Sequence, residues 1–306
     1  MLAKLRNQPG FSGYLFALGA TAIWSGNFIV ARGLSDSISP ISLAFWRWTV
    51  AVIAFLPFAL KPLISEWQLI KKNLPFICLT AILGITIFNT LIYFAGHTTS
   101  AINLSLISIT FPIFTVILSR LMFKEKINLY KILGILLVVA GVVLLITKGN
   151  LSRLLEISFA IGDLWMLLAA IIFAVYSILL KRKPAGISIW AFQLATFIIG
   201  LIFLTPFFIW DSFTVPHSAF EPKTILSIFY IGVFASLVAF TLWNKAIVAV
   251  GPSKAGMIYY TLPIFSAISA SIFLSESVSL IHLYSALLII PGILIANFEG
   301  KKPAER

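Results

Sequence analysis

The sequence predicts an all-α integral membrane protein of ten transmembrane helices, arranged as two inverted five-helix repeats. Three observations carry that prediction. First, the 306 residues are 60 % hydrophobic and 10 % charged, with a mean hydropathy of +1.05, which leaves too little polar surface to cover a water-soluble domain. Second, the chain is written twice. A shift of 149 aligns Gly13, Leu15, Leu18, Ala20, Ile23 and Ile29 with Gly162, Leu164, Leu167, Ala169, Ile172 and Ile178, and Pro57-Phe58 with Pro206-Phe207. A shift of 151 aligns Leu91 with Leu242, Ala95 with Ala246, Pro112-Ile113-Phe114 with Pro263-Ile264-Phe265, Glu125 with Glu276 and Gly141 with Gly292. Third, the basic residues fall on one side of the spans that the apolar stretches define.

Those stretches run 13–33, 40–60, 74–95, 99–121, 128–147, 162–180, 187–210, 224–244, 253–274 and 279–298. Each is near the roughly 20 residues needed to cross a hydrocarbon layer of about 30 Å at 1.5 Å per residue. The connections between them are short and hold no extramembrane domain. The basic start, Lys4 and Arg6, resembles the n-region of a signal peptide. A full-length span follows it instead of a short apolar core with a cleavage site, so the first span is expected to be retained. Cys78 is the single cysteine and lies inside the third span, which excludes an intrachain disulfide.

Ten spans put both termini on one side. Of 22 basic residues, 17 fall on that side, four opposite (Arg32, Lys148, Arg153 and Lys223), and Arg47 lies within a span. The positive-inside rule then places both termini in the cytoplasm, in the cell (inner) membrane. Five spans per half is an odd number, so the second half must enter the membrane upside down. The expected repeats are 1–148 and 149–306. A net charge of +12 distributed this way marks topology rather than nucleic acid; Lys181-Arg182-Lys183 reads as an anchor near anionic lipid.

Duplication within an apolar chain is the pattern of a secondary transporter. The motifs agree. Trp24-Ser25-Gly26-Asn27, Ser39-Pro40 followed by Arg47, Tyr93-Phe94-Ala95 with Pro112 and Glu125, Gly134 with Gly141, Trp243-Asn244-Lys245-Ala246 with Gly251, Tyr260, Pro263 and Glu276, and Pro291-Gly292 stand in order along the chain. In these segments it resembles the drug/metabolite transporter superfamily, specifically its EamA-type ten-span members. The resemblance implies two inverted halves around a central cavity and export of small organic metabolites, often amino acids.

The ten acidic residues all fall at span ends, in loops or in tails. A proton relay through a mid-membrane carboxylate is therefore not expected, since ionisable groups that serve coupling sit in the membrane interior. The cavity must be lined by neutral polar groups and aromatics. Trp24 and Asn27 on the first span, Tyr93 on the third, Tyr176 on the sixth, Trp243 and Asn244 on the eighth, and Tyr259 and Tyr260 on the ninth are the candidates. Asn amides hydrogen-bond carboxylate or ammonium groups, and ring faces accept apolar groups and cations. The alternative for Trp and Tyr is an interfacial belt, which is the reading for Trp46, Trp48, Trp190 and Trp210. Arg47 is either an anchor for a solute carboxylate or phosphate, or a structural arginine bonded to carbonyls.

Pro112 and Pro263 remove a backbone donor inside apolar stretches and are expected to kink their helices, as hinges or for packing alone. Glu125 and Glu276 read as interfacial ion pairs or caps. Gly134, Gly141 and Gly292 permit close helix approach, within the chain or at a homodimer seam. No P-loop, metal-ligand cluster, nucleophile elbow or cofactor motif is present, so no cofactor, metal or catalytic residue is expected. Two alternatives carry different requirements. An exchanger of phosphorylated solutes needs paired cations in the cavity. A lipid-modifying membrane enzyme needs convergent His, Asp, Glu, Ser or Cys near one interface.

Overall fold

A computed structural model describes residues 10–99, 104, 107–147, 149–150, 152, 160–214, 221–266, 268 and 280–298. The described elements are helical: α1 (Phe11–Gly33), α2 (Pro40–Ser65), α3 (Leu74–Thr98), α4 (Thr110–Phe123), α5 (Leu129–Ile146), α6 (Ile161–Lys181), α7 (Ile189–Thr214), α8 (Pro222–Val250), α9 (Pro252–Tyr259) and α10 (Leu280–Ala296). A short helix, Trp67–Lys72, links α2 to α3. Among the described residues six helices are long and apolar enough to cross a membrane: α1, α2, α3, α6, α7 and α8. They present large apolar side chains outward, Phe213 at 86 % and Trp210 at 73 % exposure among them, as lipid-facing surfaces do.

Local chemistry sets the ends. Ser39 caps α2 by accepting the Ser42 amide, with Pro40 in the first turn. Asn128 caps α5 through Lys131 N, so of the two roles expected of Glu125 the cap belongs to Asn128. Glu276 lies outside the described residues. Asp163, in the first turn of α6, accepts the Ala160 amide at 2.8 Å, a carboxylate at the positive end of a helix. Gly251 turns α8 into α9 at φ +84°, a conformation that costs glycine nothing.

The predicted fourth and ninth spans are interrupted rather than kinked. A turn at Ile109 precedes α4, and one at Tyr260–Thr261 follows α9 before a helical stretch over 262–266. The two breaks are 151 residues apart, and Pro112 and Pro263 each sit just after one. A proline in a first turn removes a donor that would be unused there, so the distortion lies ahead of it. The 14 residues of α4 reach only about 21 Å, short of a bilayer by themselves.

Two long helices carry matching π-helical segments, Ile82–Ile87 in α3 and Tyr230–Val238 in α8. The Phe88 amide donates to Leu83 O, and the Ala239 amide to Phe234 O, five residues back in each case. These positions are again 151 apart. Such an insertion shifts the ladder and releases a carbonyl from its usual partner.

Helix packing runs between the halves. The C-terminal part of α8 and α9 pack on α1, α3 and α4 pack on α6, α7 packs on α2, α10 on α5, and α9 on α4. Exchanging α1–α5 with α6–α10 maps this set of partners onto itself. The glycines explain the α5–α10 seam. A Cβ on Gly134 would lie 2.5 Å from Gly292 O and Ala296 N, and one on Gly141 3.0 Å from Ser285 O. The small-residue stripe is thus filled within one chain, and a second copy would need another surface.

Candidate functional site

Arg47 organises the middle of the molecule. It is 0 % exposed, and its guanidinium is spent on the protein. Nε donates to Ser236 Oγ at 2.5 Å, Nη1 to Asn27 Oδ1 at 2.9 Å and Tyr93 OH at 2.7 Å, and Nη2 to Ala235 O at 3.1 Å. The indole of Trp48 lies 5.2 Å from the guanidinium carbon. Among the described residues no carboxylate pairs with Arg47. Burial of an unpaired cation costs several kcal/mol unless its donors are satisfied, and here the planar fork meets four acceptors.

The π segment of α8 makes this possible. The Ala239 amide, four residues on from Ala235, bonds elsewhere, and Ala235 O accepts Trp24 Nε1 at 2.8 Å as well as Arg47. Ser236 in turn donates to Ile231 O at 2.8 Å. Gly26 leaves the space in which the Tyr230 hydroxyl reaches Ile23 O at 2.6 Å; a Cβ there would lie 2.4 Å from that hydroxyl. Neither Ala235 nor Ser236 carries a sequence signal, because a π insertion is invisible to hydrophobic periodicity.

Beside this cluster, Trp24, Asn27, Phe88, Asn89, Ile92 and Tyr259 line a small cavity with about 10 Å³ of enclosed space. That is room for about one water in this conformation, well below the roughly 300–1,000 Å³ of open small-molecule sites, so a solute enters only when the lining opens. The lining rings are Trp24, Phe88 and Tyr259, with further rings packed behind Trp24. Trp24 lies 5.3 Å from Trp243, 5.4 Å from Phe173, 5.6 Å from Phe240 and 6.3 Å from Tyr259. The lining amides are Asn27 and Asn89. Asn27 Oδ1 also accepts from Tyr93 OH at 3.3 Å, and Asn89 is 1 % exposed, its Nδ2 without a partner among the described residues.

Of the sequence-predicted residues, Trp24, Asn27 and Tyr259 line the cavity. Arg47 and Tyr93 stand behind Asn27 and do not line it. Tyr176 donates to Asn244 Oδ1 at 3.1 Å, and Asn244 Nδ2 donates to Gln193 Oε1 at 3.2 Å. That makes a second polar cluster, built on α6, α7 and α8. Trp243 packs behind Trp24 and donates to Ser177 Oγ at 3.2 Å. Tyr260, at the break after α9, is buried, its hydroxyl has no partner among the described residues, and it lies off the cavity lining. Trp48 is not a belt residue: at 0 % exposure it packs on Phe197 and Phe240 in the core. Asn89 and Gln193 escaped the sequence reading because a lone amide in an apolar stretch gives no pattern.

The α2–α7 pair is tied at both ends. Ser39 and Ser42, at the start of α2, donate to Asp211 near the end of α7, Ser42 at 2.6 Å. Reciprocally, the Ser188 amide ahead of α7 donates at 2.7 Å to Glu66, just past α2. Beside that tie, partial burial pushes the Lys183 ammonium below the usual lysine range, against the pull of Glu66. No group of three or more His, Cys, Asp or Glu able to hold a metal occurs among the described residues.

Comparison with known proteins agrees over almost the whole length. The model of the EamA-like transporter family matches residues 11–147 and again residues 160–298. An uncharacterized transporter of Archaeoglobus fulgidus is 27 % identical over 288 residues, covering 90 % of this chain and 93 % of its own. The uncharacterized transporter YyaM of Bacillus subtilis is 27 % identical over 285 residues, 93 % of each chain. A crystal structure superposes with a TM-score of 0.75 at 18 % identity, covering 94 % of this chain and 96 % of that one, a likeness of fold.

Proposed function

The chain belongs to the EamA-like transporter family, and on that premise we propose that it exports small amphipathic metabolites, amino acids or similar zwitterions, by alternating access around the central cavity. Its apolar helices and its family make it an integral membrane transporter. The finer reading is ten spans in two inverted repeats, 1–148 and 149–306, with both termini cytoplasmic in the cell membrane. The packing set that maps onto itself when the halves are exchanged supports it, as do the paired breaks and paired π segments. Interrupted helices at equivalent places are where such transporters build their sites, and Pro112 and Pro263 are the proposed hinges beside those breaks.

One observation carries the choice of solute: the cavity lining combines the neutral amides of Asn27 and Asn89 with the rings of Trp24, Phe88 and Tyr259. Amides suit the charged ends of a zwitterion without fixing a net charge, and ring faces suit its apolar part. The phosphorylated-solute alternative finds no support, since Arg47 is the cation of the cluster and its donors are already used. The test is a thermal-shift screen of the purified protein against amino acids, sugars and phosphorylated metabolites, followed by counterflow in proteoliposomes. A ligand that binds only the folded state raises the melting temperature. Stabilisation and counterflow by amino acids are expected; a response confined to phosphorylated compounds would reverse the assignment.

A further inference from the structure

We propose that the amide groups of Asn27 and Asn89, backed by the buried charge of Arg47, form the subsite that takes a carboxylate of the solute, while Trp24 and Tyr259 hold its apolar body. The inference rests on the cavity being the solute site and adds the group that is recognised there.

Arg47 has only donors, so Asn27 must turn its oxygen toward it. Nη1 and the Tyr93 hydroxyl both reach Oδ1. With that end held, what Asn27 offers the cavity is the Nδ2 donor, which has no partner among the described residues. Arg47 is thus a positioning residue: it sets the amide and touches no solute. Asn89 supplies the second donor. Its Nδ2 is buried and has no partner among the described residues, in a residue lining the same cavity. A buried amide donor without an acceptor is unfavourable in an empty protein and becomes favourable when a ligand brings one.

Charge points the same way. The Arg47 cation has no carboxylate partner among the described residues and sits where field strength is little screened. An anionic group at the amides would supply the missing counter-charge through Asn27. No carboxylate is among the described lining residues, so an ammonium group would find ring faces and the Asn89 amide oxygen but no counter-charge. The subsite occurs once per chain, because the positions matching Asn27 and Asn89 in the second half are Tyr176 and Phe240. The class of solute recognised is therefore a monocarboxylate with an apolar body, with or without an amino group.

Three probes with one apolar body separate the charges: 3-phenylpropionate, L-phenylalanine and phenethylamine, titrated against the purified full-length protein with melting temperature and calorimetry as readouts. The wild type should bind both carboxylates and phenethylamine about tenfold more weakly or worse. Asn89→Asp should weaken both carboxylates by about tenfold or more without weakening phenethylamine, and Asn89→Leu should weaken the carboxylates alone. Equal binding of phenethylamine and 3-phenylpropionate by the wild type overturns the proposal. So does binding of neither carboxylate, or unchanged preference in whichever Asn89 variant folds. If the Asn89 variants keep the wild-type preference while Trp24→Ala loses all three probes, the subsite is wrong and the cavity reading stands. If Trp24→Ala also binds all three as the wild type does, the cavity reading itself fails.

Discussion

The hydroxyl of Tyr93 donates to Asn27 Oδ1 at 3.3 Å, joining α3 to α1 within the first half of the chain. The second half repeats the bond with the residue types exchanged. The counterpart of Asn27 is Tyr176 and that of Tyr93 is Asn244, and Tyr176 donates to Asn244 Oδ1 at 3.1 Å. A duplicated scaffold has kept a tyrosine–amide bond at both places while swapping which helix supplies the amide. The swap matters because only the first amide borders the cavity, with Arg47 behind it.

The two tyrosine hydroxyls should therefore differ in worth. Tyr93 OH accepts from a buried guanidinium as well as donating to an amide, whereas Tyr176 OH meets a neutral amide. Bonds to charged groups contribute about 1.5–3 kcal/mol and neutral ones about 0.5–1.5. Tyr93→Phe should lower the melting temperature more than Tyr176→Phe, and the reverse order would show that Arg47 does not depend on this hydroxyl.

The α5–α10 seam makes a paired prediction. Gly134→Ala brings a Cβ to 2.5 Å from backbone atoms of α10, while Gly256→Ala meets nothing closer than 3.5 Å. The first should destabilise by about 1–3 kcal/mol through overpacking. The second should be neutral or stabilising by up to about 1 kcal/mol, since alanine favours a helix. Thermal melts in detergent measure both, and equal effects would refute the tight seam.

Transport should depend on Trp24 and Asn27. Trp24→Ala removes the cavity wall and the bond to Ala235 O, at about 3–5 kcal/mol of stability. Trp24→Phe keeps most of the ring and is the better-folded comparison. Asn27→Ala withdraws an acceptor from Arg47 and a donor from the cavity. Substrate flux in proteoliposomes, at matched amounts of folded protein, should fall about 5- to 150-fold for Asn27→Ala, the loss of one buried hydrogen bond to solute. Near-normal flux in all three variants would remove these residues from the site.

The inverted topology is tested by labelling intact cells in a Cys78→Ala background. Thr98→Cys and Asn150→Cys should react with an impermeant maleimide, and Arg182→Cys should not. Labelling at Arg182→Cys would overturn the arrangement drawn from the basic residues.

Energy coupling follows from the placement of acids. Among the described residues the buried carboxylates are Asp163 and Asp211, near the ends of α6 and α7, and neither lines the cavity. Transport should proceed down a solute gradient without a pH gradient. A net-neutral zwitterion should also respond little to voltage, because moving one charge costs about 2.3 kcal/mol per 100 mV and none is moved. Uphill accumulation driven by an imposed pH gradient would disprove this. His97→Gln would then test whether imidazole carries the proton.

Hydrophobicity, period and duplication were enough to place α1, α2, α3, α5, α6, α7, α8 and α10 within a few residues. A lipid-facing helix must be apolar along its whole length, and that requirement is written in the sequence. Motif spacing likewise singled out Trp24, Asn27, Arg47 and Tyr93, and depth within the ninth span singled out Tyr259. What the sequence by itself could not decide is which of these meets open space. Arg47 reads equally well as an anchor or a strut, and only packing against the π segment of α8 turns its fork onto Ser236 and Ala235. The prolines announce a distortion, but the breaks fall at Ile109 and Tyr260–Thr261. Their position depends on how the ladder is rearranged ahead of each ring. Asn89 is one amide among apolar neighbours until the tertiary structure leaves its donor unpaired beside a cavity. Burial patterns are local and periodic, so sequence records them; hydrogen-bond partners lie up to 211 residues apart, as Trp24 and Ala235 do, and only the folded arrangement brings them together.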